Sequence, residues 1–226
     1  MARPALIGVD AERVRANLGR LREEVARAAA RAGRPSGSVE ILAATKYVAD
    51  EDLPALAEAG VALVGENRAQ DLQRRFDAHG ELFAWDFIGQ LQSRRVPLIV
   101  PRVRLVHSLA SQSAAAALAR CLESSVGRPD FGVLVQVNVA GESGKAGVLP
   151  EELDEFLESL PVPVRGLSTM PPAVAEPEQN RPWFAALREL AGARALAELS
   201  MGTSQDYTVA VEEGATIVRI GNALYL

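Results

Sequence analysis

Eight short apolar runs, alternating with seven helix-like segments, predict an α/β chain folded as a single (β/α)₈ TIM barrel. The runs lie at 39–45, 61–65, 84–88, 104–108, 133–138, 164–168, 196–199 and 216–220. Most lack polar alternation, as strands buried on both faces do. The helix-like segments fall at 50–59, 67–78, 91–98, 111–124, 150–159, 178–192 and 204–213, which makes the units parallel βαβ. Size is the third observation. Eight such units within 226 residues favour a closed barrel over a doubly wound sheet. No break in composition marks a linker, so residues 1–226 are expected to form one domain.

An extra helix precedes the barrel. Val14, Leu18, Leu21, Val25 and Ala28 recur at steps of four and three between Asp10 and Arg31, giving one apolar stripe. Asp10 is the expected N-cap, Gly33 the expected stop, and residues 33–38 a loop. The chain stops a few residues after the eighth run. This helix is therefore expected to cover the wall where an eighth outer helix would sit, or the barrel bottom. Pro171, Pro172 and Pro177 mark a stiff loop after the sixth strand.

The composition, 48% hydrophobic and 23% charged, is that of an ordinary soluble protein. A net charge of −5 argues against nucleic acid or an anionic membrane as partner. The single Cys121 excludes an intrachain disulfide and suits a reducing compartment. His79 and His107 lie too far apart in sequence to define a His/Cys metal cluster. Residues 1–4 lack the pattern of a signal peptide, and no apolar run nears the roughly 18–20 residues that span a bilayer. A cytoplasmic protein is expected.

The stretch Val39–Tyr47 is an apolar run that ends in a lysine. The chain has two lysines, Lys46 and Lys145, and arginine supplies the rest of its 24 basic side chains. Arginine cannot form an imine, whereas a lysine amine can attack an aldehyde. Lys46 is therefore expected to hold an aldehyde cofactor; the alternative is a surface lysine at a strand end. Lys145 lies in the glycine-rich loop 141–147 and is the competing amine. That loop is expected to be mobile, with Lys145 a gate or a secondary contact to phosphate or incoming ligand.

In such a barrel the site lies at the carboxyl ends of the strands, with phosphate commonly held after strands seven and eight. Ser200-Met201-Gly202-Thr203-Ser204 is expected to open a helix whose free N–H groups and hydroxyls bind an anion. Gly221-Asn222 offers a second set of donors. The alternative is that Thr203 or Ser204 only caps its helix. Arg219 ends a buried strand and needs a partner, either Glu66 or Glu212, or a cofactor. Asn67 either bonds a ring substituent or caps helix 67–78. His107 is expected to be structural, Trp85, Phe87 and Phe131 core, and Asp206 a first-turn acid complementing its helix dipole.

Several motifs occur in a telling order. They are Ala44-Thr45-Lys46, Gly65-Glu66-Asn67, residues 85–92, His107-Ser108, residues 136–138, Gly166 to Pro171, Leu199 to Gly202, and Arg219-Ile220-Gly221. In this combination the chain resembles the pyridoxal phosphate homeostasis protein family from about residue 10 onward. The resemblance implies a barrel like that of alanine racemase, the type III fold of pyridoxal 5′-phosphate proteins. It implies that cofactor as an internal aldimine on Lys46, phosphate held by Ser200, Gly202, Ser204 and Gly221, and Arg219 facing the ring. Asn67, Met170, Met201 and Asn222 complete the expected cofactor-binding set.

The implied work is binding, buffering and delivering the cofactor without robust turnover, with transient contact to pyridoxal-phosphate apo-enzymes, as a monomer. The alternative is an amino-acid racemase. A two-base racemase needs a second acid/base opposite Lys46, which related enzymes take from a second domain, and this chain ends at strand eight. None of Tyr47, Tyr207 and Tyr225 is placed for that role by sequence. A phosphate-binding barrel without pyridoxal would leave Lys46 unexplained. Four positions depart from the family pattern: Asp86 and Gln90 stand where histidine is common, Ser168 where methionine is, and Asn222 where threonine is.

Overall fold

Asp10 starts the first helix, α1 (Ala11–Arg31), its carboxylate accepting the N–H groups of Glu12 at 3.0 Å and Arg13 at 3.2 Å. Gly33, at φ +68°, lets the chain turn away after its end. All five residues of the expected stripe are buried. Burying each of the larger ones contributes roughly 1.5–3 kcal/mol relative to exposure. The structure, a computed structural model, describes residues 8–123 and 131–226.

Eight parallel strands follow: β1 (Glu40–Ala44), β2 (Leu63–Glu66), β3 (Ala84–Phe87), β4 (Leu105–Leu109), β5 (Gly132–Gln136), β6 (Val164–Ser168), β7 (Glu198–Thr203) and β8 (Ile217–Ile220). They pair in sequence order, and β8 closes onto β1 through Glu40–Ile217 to Ala43–Ile220. The closed barrel is as expected. The outer helices are α2 (Leu53–Glu58), α3 (Ala69–His79), α4 (Val96–Ile99), α5 (Gln112–Glu123), α6 (Leu153–Glu158), α7 (Arg181–Gly192) and α8 (Tyr207–Glu212). Single 3₁₀ turns lead into α2, α4, α6 and α7, which is why several expected helices begin too early. Residue 124, the expected end of α5, lies outside the described residues.

After β8 comes one short turn of helix, α9 (Asn222–Tyr225). The helix α1 packs against α2, α8 and α9, so it fills the wall position where an eighth outer helix would stand. The buried Asn17 ties it down by donating to the Leu224 carbonyl at 3.1 Å.

Strand alternation sorts the side chains into two cores. Leu42, Leu63, Leu105, Leu134 and Ile217 form a small apolar plug separate from the main cluster. The larger cluster, including Trp85, Phe87 and Phe131 as expected, lies under the helices. Polar side chains on the same inward rows, Asp86, His107, Ser200 and Arg219, are also buried. The apolar plug thus gives way to a polar floor beneath the mouth where the site lies.

Candidate cofactor site

A cavity of about 550 Å³ opens among the loops at the carboxyl ends of the strands, within the usual range for small-molecule sites. Lys46 lines it. The residue sits in a single 3₁₀ turn, Thr45–Tyr47, directly after β1, and is exposed. Its amine lies 4.8 Å from the centre of the Tyr47 ring. The side chain is accessible at the mouth of the cavity, open to an incoming carbonyl.

Arg219 faces the same cavity from β8. Neither expected carboxylate pairs with it: Glu66 binds Arg75, and Glu212 binds Arg181 and Arg31. The guanidinium instead donates to the Ser200 carbonyl at 3.0 Å, the Ser200 hydroxyl at 2.8 Å and the Thr169 carbonyl at 2.7 Å. It also touches the Met170 sulfur at 2.9 Å, which places Met170 on the cavity rim. Burial lowers its pKa to about 10, only partly offset by the charge of Asp206, so it remains a cation at neutral pH. Among the described residues, no carboxylate is hydrogen-bonded to this buried cation.

Below Arg219 runs a directed chain of hydrogen bonds. Arg219 donates to the Ser200 oxygen, so the Ser200 proton is free for His107 Nδ1 at 2.8 Å. His107 Nε2 then carries its proton toward Asp86 at 3.1 Å, and Asp86 receives Arg104 from the other side at 3.0 Å. Burial pushes the His107 pKa down, against the pull of Asp86, so the ring is neutral in this tautomer. Asp–His–Ser connectivity would suit a nucleophile, but Ser200 has no exposed surface and its oxygen already accepts from Arg219. The expectation of a satisfied structural histidine therefore holds for a ring that also lines the cavity floor. Its acid partner, Asp86, comes from the neighbouring strand and was invisible in local sequence.

The expected anion-binding helix start is corrected. Strand β7 continues through Thr203, and α8 begins only at Tyr207. Alternation sends Ser200 into the floor, while Met201 packs in the core under the helices. Gly202 does not line the cavity: at φ +90°, a side chain there would meet the Ala210 Cβ at 2.6 Å. Of these three only Ser200 reaches the floor beneath the cavity, while Met201 and Gly202 pack toward the outer helices. The residues that line it are Thr203, Ser204 and Gln205, together with Gly221 and Asn222.

The two lips are tied together. Ser204 Oγ accepts the N–H of Gly221 at 3.0 Å and of Ala223 at 3.3 Å, which leaves its own proton free to donate. Thr203 turns its hydroxyl to Asp206 at 3.0 Å instead, so it does not cap α8. Asp206 precedes α8 rather than lying inside it. Buried, it also accepts the Thr203 N–H at 2.7 Å and the Asn180 amide at 2.8 Å, making it the brace of this turn.

Asn67 lines the cavity and does not cap α3, which starts at Ala69 after an uncapped Arg68. Its amide oxygen is buried without a hydrogen-bond partner, which is costly unless a ligand supplies a donor. The close approach of Gly89 helps shape this wall, since a Cβ there would lie 1.9 Å from the Asn67 carbonyl oxygen. Lys145 does not line the cavity. It pairs with Glu142 and reaches the Pro171 carbonyl at 3.4 Å. Its loop, expected to be mobile, is tied by Asn138 to Glu142 at 3.0 Å and by Gln136 to Ala146 at 2.9 Å.

Of the departures, Asp86 lies in the floor network, while Gln90, Ser168 and Asn222 line the cavity. Sequence reasoning missed Tyr47, which lines the cavity beside Lys46 and packs near Gly221. Its position three residues past β1 was the available signal. Tyr207 and Tyr225 are bound elsewhere, to Glu24 and to the Ala44 carbonyl. Among the described residues no group of acids, cysteines or histidines could hold a metal ion.

A closed parallel barrel with a lysine after its first strand, an arginine on its last and a polar lip between defines a class. The family model described as "Alanine racemase, N-terminal domain" matches residues 10–226. A pyridoxal phosphate homeostasis protein of Aquifex aeolicus is 40% identical over 220 residues, covering 92% of this chain and 95% of the relative. The chain belongs to the family of pyridoxal phosphate homeostasis proteins. A solved protein of Bifidobacterium adolescentis, described as unknown, superposes with a TM-score of 0.87 at 28% identity, covering 99% of this chain and 100% of that one. PipY of Synechococcus elongatus, solved with PLP bound, gives 0.73 at 29% identity, covering 89% and 100%.

Proposed function

We propose that this chain binds pyridoxal 5′-phosphate covalently on Lys46 and serves the intracellular homeostasis of that cofactor, holding and delivering it without substantial turnover. One observation carries the reading. The accessible Lys46 amine, the Arg219 cation with no hydrogen-bonded carboxylate among the described residues, and the joined Ser204–Gly221 lips all border one cavity. A small molecule with an aldehyde at one end and a phosphate at the other matches that spacing of chemistry.

The residues present fit the group. Lys46 would hold the cofactor by its aldehyde carbon, the condensation releasing water. Ser204 donates its free hydroxyl proton to phosphate beside the lip formed with Gly221, with Asn222 at the edge. Asn67 offers its orphaned oxygen to a ring hydroxyl, an acceptor in need of a donor. Arg219 faces the ring; an arginine at a pyridine nitrogen keeps that nitrogen unprotonated and so weakens the ring as an electron sink. That favours storage over catalysis. When bound, the cofactor supplies a reactive carbonyl that client apo-enzymes require. Tyr47, the one tyrosine lining the cavity among the described residues, stands next to Lys46 in the chain. A cytoplasmic monomer in transient contact with those clients completes the proposal, with the barrel as one domain.

The test is direct. Purified protein mixed with the cofactor should turn yellow, and borohydride should fix the adduct. Peptide mass spectrometry should then place the added mass on Lys46, and Lys46→Ala should abolish it. An adduct carried in full by Lys145 would reverse the assignment. Brisk racemisation or decarboxylation of an amino-acid panel would overturn the absence of turnover.

A further inference from the structure

Lys46 makes no hydrogen bond or ion pair among the described residues; its backbone is what holds it. The 3₁₀ turn that carries it closes on one bond, Val48 N–H to the Thr45 carbonyl at 2.9 Å. Such a turn is weak alone. Arg75 reaches it from α3. One guanidinium nitrogen donates to the Thr45 carbonyl at 3.0 Å and to Glu66 at 2.6 Å. Another donates to the Val48 carbonyl at 2.6 Å, and Nε to Asp50 at 2.7 Å. The two carbonyls flank Lys46 on both sides. Thr45 completes the clamp, its hydroxyl meeting the Glu66 carboxylate and the Gly65 carbonyl at 3.2 Å. Arg75 and Glu66 are almost fully buried, at 5% and 2% exposure.

Burying this pair is expensive in desolvation, and an apolar pair would hold α3 to the barrel as well. What an apolar pair cannot do is grip two carbonyls. Arg74 braces the same corner from outside through Asp50 at 3.1 Å and Asp71 at 2.8 Å. A second, smaller cavity of about 270 Å³ opens beside the clamp and shares Lys46 with the main one. The lysine thus stands between two open spaces, and beyond the Tyr47 ring under its amine, its backbone anchors decide where that amine is presented.

We propose that Arg75, with Glu66 and Thr45, is a positioning residue for Lys46: it sets the aim of the amine toward the carbonyl and makes no contact with the cofactor. The inference rests on the reading that Lys46 carries the covalent link. Bond formation needs the amine in near-attack geometry, whereas the phosphate lip of Ser204 and Gly221 and the Arg219 contact on the β7–β8 side do not involve the clamp.

The experiment separates the two. Arg75→Lys keeps the charge opposite Glu66 but loses the fork that spans the carbonyls. Its rate of C=N formation with pyridoxal 5′-phosphate, followed by absorbance, should fall about tenfold or more. Its affinity for pyridoxine 5′-phosphate, which has an alcohol in place of the aldehyde, should stay within about twofold of the wild type. Equal losses for both compounds, or no loss for either, overturn the proposal. If Arg75→Lys fails to fold, Thr45→Val, which removes one hydroxyl, must show the same split in the same direction; its absence there also overturns the proposal. Wild-type protein that takes up neither compound sinks the cofactor reading itself, and this inference with it.

Discussion

Arg219 is a cation buried at a strand end, surrounded by neutral acceptors and lacking a carboxylate in hydrogen-bonding contact. Leaving such a charge uncompensated costs stability unless function requires it. The charge that acts on it through space is that of Asp206, which offsets burial only in part. Replacing it with Gln should weaken pyridoxal 5′-phosphate binding by about ten- to a hundredfold, the roughly 1.5–3 kcal/mol of a hydrogen bond to a charged group. Titration of cofactor fluorescence checks this, and an unchanged affinity would remove Arg219 from the site. Lys46 was legible from residue type alone, because lysine is scarce here and only an amine condenses with an aldehyde. The partners of Arg219 were not. They come from the residues just after β6 and from β7, and nothing local to residue 219 names them.

At the scale of elements, the eight strands were legible, whereas the end of β7 and several helix starts were not. Eight apolar runs are a periodic signal, and each became a strand within a few residues of its expected place. The run at 196–199 instead extends to Thr203, with a register shift against β8 between Ser200 and Thr203. Asp206 then holds Thr203 and delays the helix. A Ser-Met-Gly-Thr-Ser segment carries the composition of a helix opening, but this side-chain brace and the shifted pairing override it. Gly202 is the tight point of the element. Gly202→Ala would force a side chain into left-handed backbone and against Ala210, so it should destabilise the protein by about 2–4 kcal/mol. Urea unfolding measures this. A midpoint equal to wild type would show that α8 shifts freely.

For the whole molecule, acid stability is set partly by the neutral imidazole inside the barrel. Burial holds the folded His107 pKa below 6.5, so the unfolded chain binds the extra proton first as pH falls. Stability should therefore be fully present above about pH 6.5 and decline as pH drops toward the folded value. Thermal unfolding between about pH 5 and 7 should show that slope, and His107→Gln should flatten it. A variant with an unaltered slope would assign the acid limb to other groups.

Helical and strand periodicity, a lone lysine after the first strand and an ordered set of motifs settle the barrel and the extra helix, and single out Lys46 as the candidate amine. Those properties reside in neighbouring residues, where spacing dictates which face is buried. Three things waited for the closed sheet: the floor network that joins Asp86 to Arg219, the lip that joins Ser204 to Gly221, and the clamp by which Arg75 grips both sides of Lys46. Each links residues far apart in the chain. Closure and register alone decide which inward-facing side chains share a layer, and no local pattern encodes that sharing.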